Sequence, residues 1–511
     1  MSFGWKVVHG GRTPPPGEVV RPDERLSWGR TVGIGAQHVI AMFGATFVFP
    51  VVMGLDPNLA IMMSGVATIL FLLLTQNRVP SYLGTSASFV GGVFAIRAAQ
   101  DATDSTVTGA ILVAGLVLAV AGVAIQMLGV AALHRVFPPV VTGAVVMLIG
   151  FGLAFVVADF YWPVDQWVAL ATMTALFLMT VLLRGFLGRV AILLALVFGY
   201  ALSWVLDLVS GPITSPNPAN GMKVEPHDRL SFAGVGQADW VGLPDFTAPE
   251  FRFSAVLLVL PAVIALIAEN TGHVKAVGAM TRTDLDPMIG RAIMADGVGT
   301  AVATSVGGSP TTTYAENIGV MAATRIYSTA AYYVAAVVAI LFGLCPKFGA
   351  LIAATPSGVL GGITVVLYGM IGLLGAKIWV ENRVDFANPI NLVPIGAGLI
   401  LAIGPVRHQV TETFTLEGIA LGTIVVLVGY HLLRALAPAH MREALDTPAG
   451  TFEHTPDRAT LGEVGFETDA AGTSRQDSGR EGRDASRHAT AAGPRAPGDA
   501  GSSGGATRLG S

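Results

Sequence analysis

Apolar runs of about 17 to 25 residues are long enough to cross a bilayer as helices. They recur near residues 29–53, 58–76, 106–131, 139–158, 166–184 and 188–209. Between the second and third runs lies a shorter stretch, residues 80–92, that opens with Pro80 and small residues and turns apolar only toward Ala95. Residues 210–252 are rich in Pro, Gly, Asn and Asp, hold no such run, and therefore read as an extramembrane connection between two hydrophobic halves. The runs resume near 253–275, 289–306, 309–323, 326–345, 356–374, 388–404 and 416–436. The stretch at 309–323 is broken as well. A Gly307-Gly308-Ser309-Pro310 breaker leads into β-favouring Thr311, Thr312, Thr313 and Tyr314, and helical character begins only near Glu316. Counted this way each half has seven crossings, with the interrupted one third in each. An odd number per half gives the halves opposite topology. Interrupted segments at matching positions predict an inverted-repeat transporter with its site at the midplane. A half-helix starting near Glu316 also leaves backbone N–H groups without intrahelical partners, free to hold a ligand.

Composition agrees with a chain built for lipid. It is 52% hydrophobic and 13% charged, with a mean hydropathy of +0.64, which excludes an ordinary soluble domain. The net charge of -4 sits in loops and termini and points to no nucleic acid. One cysteine, Cys345, excludes an intramolecular disulfide and any cysteine-based metal motif. Residues 1–28 carry Arg12, Pro14, Pro15, Pro16, Arg21 and Arg25 without an apolar core of a signal peptide, and read as a cytoplasmic leader. From a cytoplasmic N-terminus, the inner loops hold Arg78, Arg135, Arg184, Arg189, Lys275, Arg282, Arg325, Lys377 and Arg383. The outer ones lean acidic through Asp56, Asp101, Asp104, Asp159 and Asp165, with Arg97, Lys347 and Arg407 as exceptions. Phe160, Tyr161 and Trp162 fall where an interfacial belt belongs. Residues 438–511, dominated by Gly, Ser, Ala, Arg and Asp, read as a disordered cytoplasmic tail.

Ionisable groups inside spans are costly and mark function. Glu269 and His273 in the eighth span are four residues apart and share a helix face. A Glu–His pair of this kind can pass a proton near neutral pH. Glu316 stands at the broken tenth span, and His38 follows Gln37 in the first. Asp296 suits a helix-cap or scaffold role, Asn317 the ordering of broken backbone, and Gly319 a close approach of helices. Two carboxylates beside amide donors at half-helix ends fit a flat solute with alternating N–H donors and C=O acceptors. A nucleobase meets that description, as do other small neutral polar solutes.

Residues 316–325, Glu-Asn-Ile-Gly-Val-Met-Ala-Ala-Thr-Arg, resemble the motif of the nucleobase-ascorbate transporter family, also called nucleobase:cation symporter-2. That motif is Gln, Glu or Asp, then Asn, any residue, Gly, four more, Thr and a variable last position. Gln37-His38 with 41–46, Tyr82-Leu83-Gly84 and 268–273 carry the resemblance further, over about residues 28–437. It implies an all-α polytopic membrane protein of 14 transmembrane segments in two 7-span inverted repeats, 29–209 and 253–437, with short β-strands in broken spans three and ten. Spans one to four and eight to eleven would form a core moving against a gate of five to seven and twelve to fourteen, with a homodimer formed through the gate. A motif opening with Glu and closing with a basic residue resembles the uracil branch, whereas purine and xanthine carriers usually open with Gln and close with Gly.

The resemblance thus implies a uracil:proton symporter of the inner or plasma membrane, both termini cytoplasmic, with no cofactor besides the coupling proton. The expected substrate contacts are Glu269, Glu316, Ala315, Tyr314, Ser86, Ala87 and Phe89. His273, Glu269 and Glu316 would couple the proton, and Gln37, His38, Asn317, Gly319, Thr324 and Arg325 would support the site. Uracil carriers often have an aromatic where Ala87 stands here, with Phe89 two residues on. Either the pocket is roomier, admitting thymine or a purine, or another side chain does the stacking. The rivals are a xanthine or purine carrier of the same fold, a membrane-embedded enzyme using Glu269 and His273 as acid and base, and an anion channel or carrier. No nucleophile elbow or metal motif accompanies the pair, and two carboxylates would repel an anion.

Overall fold

In the computed structural model, the described residues are 4–446 apart from Pro16, 99–101, 130–134, Pro405 and 412–413. Within the tail expected to be disordered from residue 438, Ala439–Asp446 is helical, and the tail beyond residue 446, Pro16 of the leader and Asp101 lie outside the described residues. The first half runs α1 (Trp28–Ala41), α2 (Pro57–Leu74), β1 (Leu83–Thr85), α3 (Val90–Arg97), α4 (Asp104–Leu128), α5 (Pro139–Gly152), α6 (Gln166–Leu182) and α7 (Ala191–Ser210). The second runs α8 (Pro261–Thr281), α9 (Ile289–Ser305), β2 (Thr311–Thr313), α10 (Ala315–Thr324), α11 (Thr329–Gly343), α12 (Ser357–Glu381), α13 (Pro389–Ile403) and α14 (Gly418–Leu436). Among the described residues, seven helices are long and apolar enough to cross a membrane, or up to nine if each bent pair is one span.

Local chemistry sets the ends of these helices. Asp56 Oδ1 accepts from the Leu59 N–H at 2.7 Å at the start of α2, and Asp165 Oδ1 from Val168 N–H at 3.0 Å at the start of α6. In both cases a carboxylate satisfies an N–H that the helix cannot. α1 does not end cleanly: a π-helical turn, Gly44–Val48, leads into a further helix, Phe49–Met53, that stops at Gly54 in the left-handed region, φ 68°.

The helices form two bundles. In one, α4 packs along α9, α2 along α11 and α9, and α1 along α11. In the other, α5 packs along α12, α6 on α7 and α12, and α13 on α14 and α5. Each pairing maps onto another, or onto itself, when helix numbers are shifted by seven: α2 with α11 becomes α9 with α4, and α6 with α7 becomes α13 with α14. The α5–α12 crossing is close enough that a Cβ added at Gly150 would fall on the Gly372 backbone. Small residues of this kind let helices meet where water drives nothing together.

β1 and β2 are the only strands inside the first bundle among the described residues, pairing antiparallel as Leu83 with Thr313, Gly84 with Thr312 and Thr85 with Thr311. Both are pinned by a helix hydroxyl. Thr68 of α2 accepts the Leu83 N–H at 2.9 Å. Thr300 of α9 accepts the Thr311 N–H at 3.1 Å and donates to its carbonyl at 2.8 Å. Backbone that leaves the helix is thereby satisfied without water, which is what membrane depth demands.

The leader is more structured than its composition suggests. Lys6–Val7 pairs parallel with Glu24–Arg25, Val20 N–H donates to the Arg325 carbonyl at 2.9 Å, and Tyr327 N–H to the Val20 carbonyl at 2.8 Å. Trp5 Nε1 donates to Thr329 Oγ1 at 2.9 Å. The connection after α7 folds into a hairpin, Ile213–Asn217 with Lys223–His227. Beyond it Arg229 donates to Asp165 at 2.8 Å and to Asp207 at 3.0 Å.

Candidate functional site

α10 starts where β2 ends. Tyr314 at its N-cap is extended, φ -137°, and no side chain caps the helix. The first-turn N–H groups of α10 therefore lack intrahelical partners and receive no cap from Tyr314, while the Glu316 carboxylate sits against the backbone N–H of its own residue. Tyr314 donates its hydroxyl to the Thr85 carbonyl at 2.6 Å, tying β2 to β1. α8 passes the same place and brings Glu269 and His273 on one face.

These elements enclose a cavity of about 190 Å³. Phe49, Ala87, Ser88, Ala265, Glu269, His273, Tyr314, Ala315 and Glu316 line it from the first bundle. Val146, Ile149, Ile192, Leu367, Met370, Ile371, Leu374 and Ile378 line it from the second. One wall therefore carries the polar chemistry and the other is wholly apolar, aliphatic except for Met370. Of the residues expected at a substrate, Glu269, Glu316, Ala315, Tyr314 and Ala87 share this cavity. Ser86 and Phe89 are fully buried and are not among its lining. The sequence reading missed Phe49, Ser88 and the whole aliphatic wall. Apolar residues that face a cavity leave the same hydropathy signal as those that face lipid.

His273 is held from behind. Its Nδ1 lies 2.8 Å from Thr313 Oγ1, and the Thr313 hydroxyl donates to Asn270 Oδ1 at 3.1 Å. A hydroxyl has one proton, so Thr313 can only accept from His273, and Nδ1 carries the hydrogen. In the neutral ring Nε2 is then the bare nitrogen. Asn270 Nδ2 donates onward to Asp296 Oδ2 at 2.8 Å. Asp296 is fully buried in mid-α9, so it caps no helix and anchors this chain of bonds.

The expected supporting residues divide. His38 Nδ1 is 2.7 Å from Asn317 Oδ1, while Asn317 Nδ2 donates to the Tyr82 carbonyl at 3.2 Å. Asn317 thus ties α10 to the start of β1, with His38 packed on Tyr332 at 4.4 Å between ring centroids. Thr324 donates to the Val320 carbonyl at 2.8 Å, and Arg325 ends α10 in the left-handed region, φ 59°. Gln37 is half-buried in α1 away from the cavity lining. Gly319 does not mediate close helix approach: a Cβ there would meet nothing within 4 Å. Its place on the exposed face of α10 explains the difference.

Residues 29–411 match the Permease family. The chain is 43% identical over 442 residues to the putative pyrimidine permease RutG of Escherichia coli (strain K12), covering 85% of this chain and 95% of that protein. The chain belongs to the nucleobase-ascorbate transporter family. A uracil permease of Bacillus caldolyticus is 34% identical over 418 residues, covering 79% of this chain and 91% of its own length. This nucleobase-ascorbate family member is a multi-pass membrane transporter and not an enzyme, as its permease relatives and apolar helices establish. The fold is shared more widely. The transmembrane domain of the cyanobacterial bicarbonate transporter BicA superposes with a TM-score of 0.52 at 15% identity, covering 79% of this chain and 97% of that one. Murine Slc26a9 gives 0.54 at 10% identity, covering 81% of this chain and 69% of that one. No group of three or more His, Cys, Asp or Glu suited to a metal occurs among the described residues.

Proposed function

We propose that the protein imports uracil by proton symport. The observation that carries the reading is the cavity that holds Glu269, Glu316 and His273 at the uncapped start of α10. Carboxylates accept from ring N–H groups, and helix N–H groups donate to ring carbonyls, so a flat base is matched edge to edge. Carboxylates and an imidazole around one cavity also provide seats for a travelling proton. The curated relatives named uracil permease support the choice of base.

Transport uses fourteen spans in two inverted repeats, 29–209 and 253–437, counting α3 and α10 with their strands as broken crossings. The seven-helix shift that relates the packing pairs supports this repeat. α1 to α4 and α8 to α11 act as the core, and α5 to α7 with α12 to α14 as the gate. The core moves like an elevator against the gate's smooth aliphatic wall. Both termini are cytoplasmic, the membrane is the inner or plasma membrane, and the gate pairs in a homodimer.

Xanthine is the competing substrate, favoured by the small side chains Ala87, Ser88 and Ala315 on the polar wall. Uptake of labelled uracil into proteoliposomes, competed with uracil, thymine, xanthine and hypoxanthine at two pH values, tests both readings. Uracil should compete best and an inward proton gradient should drive accumulation. Preferred competition by xanthine, or uptake indifferent to the gradient, overturns the assignment.

A further inference from the structure

We propose that the protein holds a further binding site, for a small oxyanion, in a cavity of about 300 Å³ between the hairpin that follows α7 and the starts of α6 and α12. This cavity shares no lining residue with the one that contains Glu269 and Glu316. Its mark is a surplus of hydrogen-bond donors. Ser203 of α7 is fully buried and borders the cavity, and its hydroxyl has no partner among the described residues. His227, which ends the hairpin, borders it too, and its buried Nδ1 is likewise without a partner. α12 opens here with Pro356 as its N-cap and no capping side chain. The N–H groups of Ser357 and Gly358, both in the lining, therefore have no intrahelical partner. Buried polar groups are almost always paired, so unpaired ones from three separate elements around one hollow match a ligand that supplies acceptors.

The nearby carboxylates are already engaged. Asp165 accepts from the Val168 N–H at 3.0 Å and from Arg229 Nε at 2.8 Å. Asp207 accepts from Arg229 Nη1 at 3.0 Å and from the Leu230 N–H at 3.1 Å. Arg229 spends Nε and Nη1 on these bonds and on the Gly211 carbonyl, which leaves Nη2 as one more donor beside the cavity. A Cβ added at Gly358 would lie 2.9 Å from Asp165 Cβ, so the starts of α6 and α12 adjoin. Each helix start carries about half a positive charge, and together with Arg229 the two offset Asp165 and Asp207. Asp228, which also borders the cavity, is exposed to water. With charge balanced and donors unspent, the complementary group is a phosphate-like oxyanion at the α12 N-terminus. Its oxygens bridge the hairpin to α7 and α12. They come either from a free solute or from a phospholipid headgroup.

The test uses the full-length protein and two readouts, melting temperature and the rate of tryptic cleavage after Lys223 on the hairpin. In detergent, inorganic phosphate is compared with sodium chloride at equal ionic strength. In nanodiscs without free phosphate, phosphatidylglycerol is compared with phosphatidylcholine. A free solute is the source if phosphate protects in the first arm, and a headgroup if phosphatidylglycerol protects in the second. Phosphate stabilises proteins generally by exclusion from their surface, so the variants decide. Ser203→Ala removes a donor that makes no bond in the protein, so stability without ligand should stay at or above that of the parent, while apparent affinity should fall about tenfold. His227→Leu should weaken binding similarly, whereas His227→Asn keeps a nitrogen donor near Nδ1 and should bind within about threefold of the parent. The His227 pair carries the test if Ser203→Ala does not fold. Absence of protection from both sources, or equal protection of the parent, Ser203→Ala and His227→Leu, overturns the site.

Discussion

Glu316 stands in the first turn of α10 and borders the cavity together with Ala315. Replacing it by Gln keeps the shape and removes the charged acceptor. A charge-assisted hydrogen bond contributes about 1.5–3 kcal/mol, so Glu316→Gln should weaken uracil binding about tenfold or more, measured by equilibrium binding. Parent-like affinity would remove Glu316 from the site. Thr313 offers a finer probe, because it fixes which nitrogen of His273 carries the hydrogen. Thr313→Val leaves that N–H and the Asn270 carbonyl oxygen without their partner, whereas Thr313→Ser restores both bonds. The Val variant should alter the pH profile of uptake and the Ser variant should return it. Identical profiles in all three proteins would detach His273 from proton coupling.

The two short strands and the half-helices they launch are the elements on which the site stands. Thr300 makes two bonds to one residue of β2. Thr300→Val removes both in a buried setting, where each stranded group costs about 1–3 kcal/mol. The melting temperature in detergent should fall by several degrees, and an unshifted melt would show that β2 is held by other means. At the far end of α10, the leader bonds to the carbonyl of Arg325 through Val20 N–H. Proline at position 20 lacks that donor, so Val20→Pro should speed tryptic cleavage after Arg25, the bond after Arg21 being closed to trypsin by Pro22. Cleavage at the parental rate would mean that the leader is held without this bridge. Gly319 offers the opposite expectation. With nothing within 4 Å of an added Cβ, Gly319→Ala should leave thermal stability unchanged or raise it by about 0.5–1 kcal/mol through helix propensity.

At the scale of the molecule, the packing separates into one bundle with the polar wall and another with the aliphatic wall, facing each other across the cavity. An apolar wall holds the polar one by no hydrogen bonds, which suits the core movement proposed above. A Cβ built at Gly91 of α3 would touch Ile419 of α14, so these two helices meet across the bundle boundary. With Cys345 replaced by Ala, the pair Gly91→Cys and Ile419→Cys should cross-link on oxidation and stop uptake, with recovery on reduction. Undiminished transport by the cross-linked protein would exclude relative movement of α3 and α14.

The linear pattern determined much of this. Apolar runs, the breaker at Gly307 to Pro310 and the matching interruption after Pro80 are local features, and helices and strands follow from them wherever lipid forbids unsatisfied backbone. The spacing of Glu269 and His273 fixed their shared face, and the 316–325 motif fixed the family. Only the tertiary structure decided that residues as distant as Phe49, Ala87, Glu269 and Glu316 share one hollow, that Phe89 does not, and that Leu367, Met370 and Leu374 face it. The reason is that hydropathy records whether a side chain avoids water, not what it touches instead. Lipid, packed protein and a substrate cavity leave the same mark on an apolar position, and only the packing of one bundle against the other tells them apart.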